Sequence, residues 1–230
     1  MPTTVDCLIE SGSRRVFAIA AAWPGWCRSE RDEERALEAL RAYGVRFAAA
    51  MGPADVRFTP PGARTSMEVI ERVAGNATTD FGAPDGIFAL DASPLSPRDL
   101  TRCRRVLEAC WTAFDHAVLA AEGVELKKGP RGGGRELEAI VSHVVGAEAG
   151  YLRRLTGAGV AVDDADAGAA REPVRAAIRA GLDRARSGDL PSHGPRGGSL
   201  WTPARFLRRT AWHALDHAWE VEDRSTGDLG

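Results

Sequence analysis

Apolar positions in segment 202–224, TPARFLRRTAWHALDHAWEVEDR, recur at helical spacing. At about 100° per residue, Phe206, Thr210, His213, His217 and Val221 fall on one continuous seam. The segment also carries a start signal, because Thr202 can cap free amide groups and Pro203 suits the first helical position. Three earlier segments share this periodicity. One opens on Ser96-Pro97-Arg98-Asp99, runs to about Ala121 and aligns Cys103, Leu107, Cys110, Phe114 and Ala121. The next, 135–155, aligns Leu137, Val141, Val144, Glu148, Leu152 and Leu155, and a third runs through Val174, Ile178 and Leu182. Together they predict a four-helix bundle over 91–230.

The pattern before residue 90 is different. From Val5 it predicts a short strand, a turn at Ser11-Gly12-Ser13 and a second strand from Val16 to Trp23. A Pro-Gly turn and an amphipathic helix over 34–43 follow, the latter with Ala36, Leu37, Leu40 and Ala42 on its apolar side. Residues 51–91 are punctuated by glycine and proline, with β-compatible runs at 56–59 and 66–74. The fold class is therefore α+β, a small N-terminal module over 1–90 joined to a helical bundle. The loop 77–86 is expected to lead towards the bundle, where Thr78-Thr79-Asp80-Phe81 could line a site if the module folds over the bundle mouth.

Charge narrows the partners. With 30 basic and 32 acidic residues the formal net charge is −2, so no basic field recommends nucleic acid or an anionic membrane. No stretch is long enough to span a bilayer. Arg14-Arg15 before VFAIAAAW imitates a signal sequence, but the run is short and ends in Trp23-Pro24-Gly25, so it reads as a strand entering a turn. A cytoplasmic protein is expected. Cys7, Cys27, Cys103 and Cys110 show no CxxC spacing or disulfide framework, and small buried thiols are the default.

The candidate chemistry lies in the helices. His213 and His217 are one turn apart on the seam, the geometry by which a helix offers two nitrogens to one metal ion; otherwise they are two hydrogen-bonded histidines. Ala214 stands where the general base of an HExxH zinc protease would follow the first histidine, which excludes that class. The best third ligand is His143, on the flank of its stripe and suited to point between two helices. Glu148 lies at the centre of an apolar face, where a carboxylate is costly unless paired. It is either a group orienting a ligand or acting as general base, or the partner of a buried arginine such as one from the last helix. His116 projects away from its stripe and His193 sits in a Gly/Pro-rich loop; neither is expected to ligate. The loop 123–134, with Lys127, Lys128, Arg131 and three glycines, is a solvated connector or an anion-gripping loop.

Ser142-His143-Val144 with Glu148, followed by His213-Ala214-Leu215-Asp216-His217, resembles the DinB/YfiT-like family of metalloenzymes over roughly 95–224. The resemblance implies an up-and-down four-helix bundle with a divalent ion on His143, His213 and His217 and remaining positions left to water or substrate. That family includes thiol-dependent isomerases and S-transferases. The implied cofactors are a divalent metal ion, zinc or nickel first and manganese or iron(II) next, and a low-molecular-weight thiol. Ala22-Trp23-Pro24-Gly25-Trp26-Cys27 before an acidic helix start resembles the HicB-type antitoxin module. Trp26 interrupts its Pro-Gly-Cys turn, and Arg28-Ser29-Glu30-Arg31 replaces its usual helix start.

The expected function is thus that of a metal-dependent transferase, isomerase or hydrolase acting on a small molecule or thiol, with a homodimer left open. The alternative is a non-catalytic binding or regulatory protein, HicB antitoxin-like through its N-terminal module.

Overall fold

The structure, a computed structural model, describes residues 4–128, 134–162 and 167–226. Its N-terminal part is a four-stranded sheet in the order β3-β2-β1-β4, formed by β1 (Thr4–Ser11), β2 (Val16–Ala20), β3 (Cys27–Glu30) and β4 (Ser66–Ala74). β1 pairs antiparallel with β2, Cys7 opposite Ala20 and Ile9 opposite Ala18, and parallel with β4, whose register shifts between Cys7 and Leu8. Such an irregularity on an edge strand twists it away from stray pairing.

Both faces of this sheet are covered. Cys7, Ile9, Ala18 and Ala20 join Ala36 and Leu40 of helix α1 (Glu33–Ala42) and Phe47 and Met51 of α2 (Gly44–Met51) in a core that continues into the bundle. Leu8, Phe17, Ile19 and Cys27 form the opposite face and bury against Phe88 and Trp212. The predicted strands and first helix are present as a small α+β unit. β3 and α2 were not predicted, and residues 56–59 form no strand. Two short helices, α3 (Ala77–Phe81) and α4 (Ala89–Ala92), lead to the long ones.

Those are α5 (Pro97–Ala120), α6 (Leu137–Thr156), α7 (Ala167–Ser187) and α8 (Pro203–Ser225). Their directions follow from side-chain pairs. On α5 and α7, Arg104 pairs with Asp183 at 2.6 Å, Glu108 with Arg179 at 2.7 Å and Asp115 with Arg175 at 2.7 Å, so these two helices are antiparallel. Glu148 faces Arg175 while Gly181 packs on Thr156 and Leu152, so α6 and α7 run parallel. Along α6 and α8, Tyr151 meets Arg209 and the Arg154 carbonyl accepts from the Trp201 amide, so these are antiparallel.

The contacts close a ring α5–α8–α6–α7 with directions up, up, down, down. In chain order this is up-down-down-up, a correction to the up-and-down bundle expected from the sequence. Simple alternation requires short connections, and here 121–136, 157–166 and 188–202 are all long enough to let helices pair out of order. Among the described residues no helix is long and apolar enough to cross a membrane.

The N-terminal unit is fastened to α8 by charge as well as packing. Arg28 pairs with Asp216 at 3.2 Å, and Arg46 with Glu222 and Asp223 at 2.7 Å each. In return Arg205 reaches Asp85 at 3.3 Å, Arg208 binds Asp91, and Arg209 donates to the Pro84 carbonyl. The loop after α3 therefore does reach the bundle. Thr78-Thr79-Asp80-Phe81 has other contacts: Thr79 donates to buried Glu10, Asp80 accepts from Ser13 and the Arg14 amide, and the Phe81 side chain is exposed.

Candidate metal centre

α8 begins where the sequence places it, with the Thr202 hydroxyl accepting from the Arg205 amide and Pro203 in the first turn. Its seam is a core position: Phe206, Thr210, His213 and Val221 are buried, and His217 is partly buried. Antiparallel α6 brings His143 against the same turn, and the ligand atoms of His143, His213 and His217 lie within 4.8 Å of one another. Ring centroids are 5.0 Å apart for His143–His213, 5.0 Å for His143–His217 and 4.6 Å for His213–His217.

The donor set fits a divalent ion on two counts. First, the Nε2 atoms of His143 and His213 stand 3.2 Å apart. Zinc–imidazole bonds of about 2.0–2.1 Å at a tetrahedral angle separate two ligand nitrogens by about 3.3 Å, so this pair is spaced as it would be on one ion. Second, burial favours the neutral, ligating form of His143 and His213. Burial, followed by His217 and Arg135, lowers the His143 pKa to about 4, and burial pushes His213 well below the ordinary histidine value.

The outer nitrogens of the two α8 histidines are treated differently. His217 Nδ1 is 2.7 Å from Glu220 Oε2, and the same carboxylate accepts from Arg224 through Oε1 at 2.9 Å. Among the described residues, His213 Nδ1 is buried without a hydrogen-bond partner, as is Thr210 Oγ1 one turn earlier on the same face. Beyond His213, Tyr151 presents its ring edge-on at 5.7 Å between centroids, and its hydroxyl accepts from Arg209 Nε at 3.2 Å.

The three predicted ligands are thus brought together. Glu148 has different company. Five residues on from His143 it projects about 140° away around α6, where Oε1 accepts from Trp111 Nε1 at 2.6 Å and Oε2 lies 3.9 Å from Arg175 Nε. Burial raises its pKa to about 7 against the opposing charge of Arg175. Its arginine partner comes from α7 and not from the last helix. His116 and His193 are exposed, as expected. All four cysteines are free and buried, and burial pushes the Cys7 thiol up to about 12.

Sequence reading missed Glu220, Arg224, Tyr151 and Arg209. For Glu220 a signal existed, since an acid three residues after a seam histidine shares its face. In the basic loop, Lys127 exchanges hydrogen bonds with Arg224, its amide donating and its carbonyl accepting; Arg131 and its neighbours in 129–133 lie outside the described residues. Compared with protein-family models, curated proteins and solved structures, the chain matches none.

Proposed function

We propose that the protein is a divalent-metal-dependent enzyme of DinB-like type, with His143, His213 and His217 as ligands. The observation that carries this reading is the convergence of three imidazoles from two antiparallel helices, two of them at ligand spacing. Three nitrogen ligands suit zinc or nickel first, then manganese or iron(II). When bound, such an ion acts as a Lewis acid and makes a water or thiol nucleophilic near neutral pH.

The chain's own groups then have defined tasks. The histidines hold the ion, Glu220 orients His217, and Tyr151 with Arg209 supplies a donor pair beside His213 for an oxygen-bearing substrate. The protein's own thiols are buried and protonated, so a thiol substrate would be a small molecule from solution, in keeping with thiol transfer, thiol-assisted isomerisation or hydrolysis in the cytoplasm.

Metal analysis of protein purified without a histidine tag or chelator tests the reading. Near-stoichiometric metal in the parent that falls sharply in His143→Ala and in His213→Ala is expected. Metal contents unchanged by these substitutions, or no uptake after reconstitution with several divalent ions, would overturn it.

A further inference from the structure

One histidine of the cluster is connected to structure outside it. His217 Nδ1 meets Glu220 Oε2 at 2.7 Å, Glu220 Oε1 accepts from Arg224 at 2.9 Å, and Arg224 Nε donates to the Lys127 carbonyl at 2.7 Å. The Arg224 carbonyl in turn accepts from the Lys127 amide at 2.9 Å. Gly134, at φ +146°, lies on the Arg224 guanidinium so closely that a Cβ there would stand 2.6 Å from it. Arg224 is buried although charged, and its two acceptors, the Glu220 carboxylate and the Lys127 carbonyl, offset that cost. One guanidinium therefore joins the C-terminal end of α8 to residues on both sides of 129–133, and one carboxylate joins that guanidinium to His217.

We infer that Glu220 is a positioning residue for the metal centre, anchored by Arg224, and that this pair sets the tautomer and ring orientation of His217. This rests on the metal reading given above. An imidazole whose Nδ1–H donates to a carboxylate keeps an unprotonated Nε2 lone pair free for an ion and becomes a better ligand. The free ring otherwise favours the opposite tautomer, with the proton on Nε2 and nothing to offer an ion there. His213 has no such carboxylate, its Nδ1 being buried without a partner, so the orienting task falls on Glu220 alone among the described residues. Arg224 prevents the carboxylate from turning away, and because it also binds the Lys127 carbonyl, Lys127 is joined to His217 through three successive hydrogen bonds. Lys127 is thereby tied structurally to the centre.

Two measurements test this. Nitrogen-15 correlation spectra of the metal-free protein report the His217 tautomer directly. The expected result is an Nδ1-protonated ring in the parent and a shift towards the Nε2-protonated form in Glu220→Ala. Zinc affinity, read by competition with a chromophoric chelator, should fall about 10–100-fold in Glu220→Ala. A smaller fall is expected in Glu220→Gln, which keeps an acceptor and guards against misfolding of the alanine variant, and Arg224→Ala should also weaken zinc. A His217 tautomer unchanged in Glu220→Ala, or zinc affinity within about twofold of the parent in both Glu220 variants, would overturn the inference. Should the parent take up no zinc, the metal reading fails separately, and the tautomer spectra still judge the role of Glu220.

Discussion

His143 on α6 and His213 on α8 bring their Nε2 atoms to 3.2 Å, although 70 residues separate them in the chain. Without an ion, this contact needs a proton on one of the two nitrogens; with one, both lone pairs are used. An ion that binds only the folded arrangement stabilises it by mass action, about 2.7 kcal/mol at a hundredfold excess over Kd. Saturating zinc is therefore expected to raise the thermal midpoint of the parent by several degrees and to leave that of His143→Ala unmoved. Scanning calorimetry with and without zinc checks this, and equal shifts in the two proteins would place the binding elsewhere.

Glu148 predicts a pH dependence independent of any metal. Its carboxyl is fully buried with a pKa of about 7, against an ordinary value of 4.5. The folded state thus holds a proton that the unfolded state releases, so this group's contribution is fully present below pH 4.5 and is lost as pH rises to about 7. Integrated over that interval the loss is on the order of 3 kcal/mol. Glu148→Gln retains an acceptor for Trp111 and cannot ionise. Its stability relative to the parent is expected to rise between pH 4.5 and 7 and then level off. Urea unfolding at a series of pH values measures it; a flat or falling difference would show that Arg175 keeps Glu148 ionised.

Much of this arrangement was legible because it depends on local patterns. Thr202-Pro203 and the Phe206 to Val221 seam define α8 without tertiary information, and two seam histidines four apart must share a face. His143 could be read as pointing between helices because it flanks its stripe. Elements imposed by neighbours were not legible. Cys27–Glu30 has no apolar alternation and becomes a strand because the turn after Ala20 returns it to β2, Ile19 opposite Cys27. Gly44 reads as a helix stop, yet the chain continues in helical conformation through Tyr43 into α2, where Gly44 lets Pro61 and Trp26 approach closely. The helix order could not be read either, since long connections permit more than one pairing, and with it went the partner of Glu148.

Trp212 links the sheet to the candidate centre. It meets Phe17 of β2 edge-on at 6.1 Å between centroids, and its own neighbour is His213, 5.9 Å away. With the indole buried between sheet and α8, Trp212→Ala is expected to destabilise the fold by about 3–5 kcal/mol. The sheet should loosen together with the bundle, because one core runs through both parts. Chemical denaturation followed by far-ultraviolet dichroism and by near-ultraviolet signals should give a single shifted transition. Two separated transitions would show that the N-terminal unit unfolds on its own.

Gly25 offers a sharper test of how the parts are fitted. It turns the chain between β2 and β3 at φ +90°, a conformation that side chains rarely adopt, and it faces the α5–α8 contact. An added Cβ would lie 3.1 Å from Cys110 Sγ and 3.4 Å from the Ala211 carbonyl oxygen. Gly25→Ala therefore meets two costs, backbone strain and a crowded thiol, together about 1–3 kcal/mol. The two can be separated. Cys110→Ala leaves a small void by itself, but combined with Gly25→Ala it gives the new methyl room, so the double variant should be more stable than the sum of the two single changes requires, while the φ cost stays. Strict additivity in a double-mutant cycle would mean that backbone conformation alone demands glycine at this position.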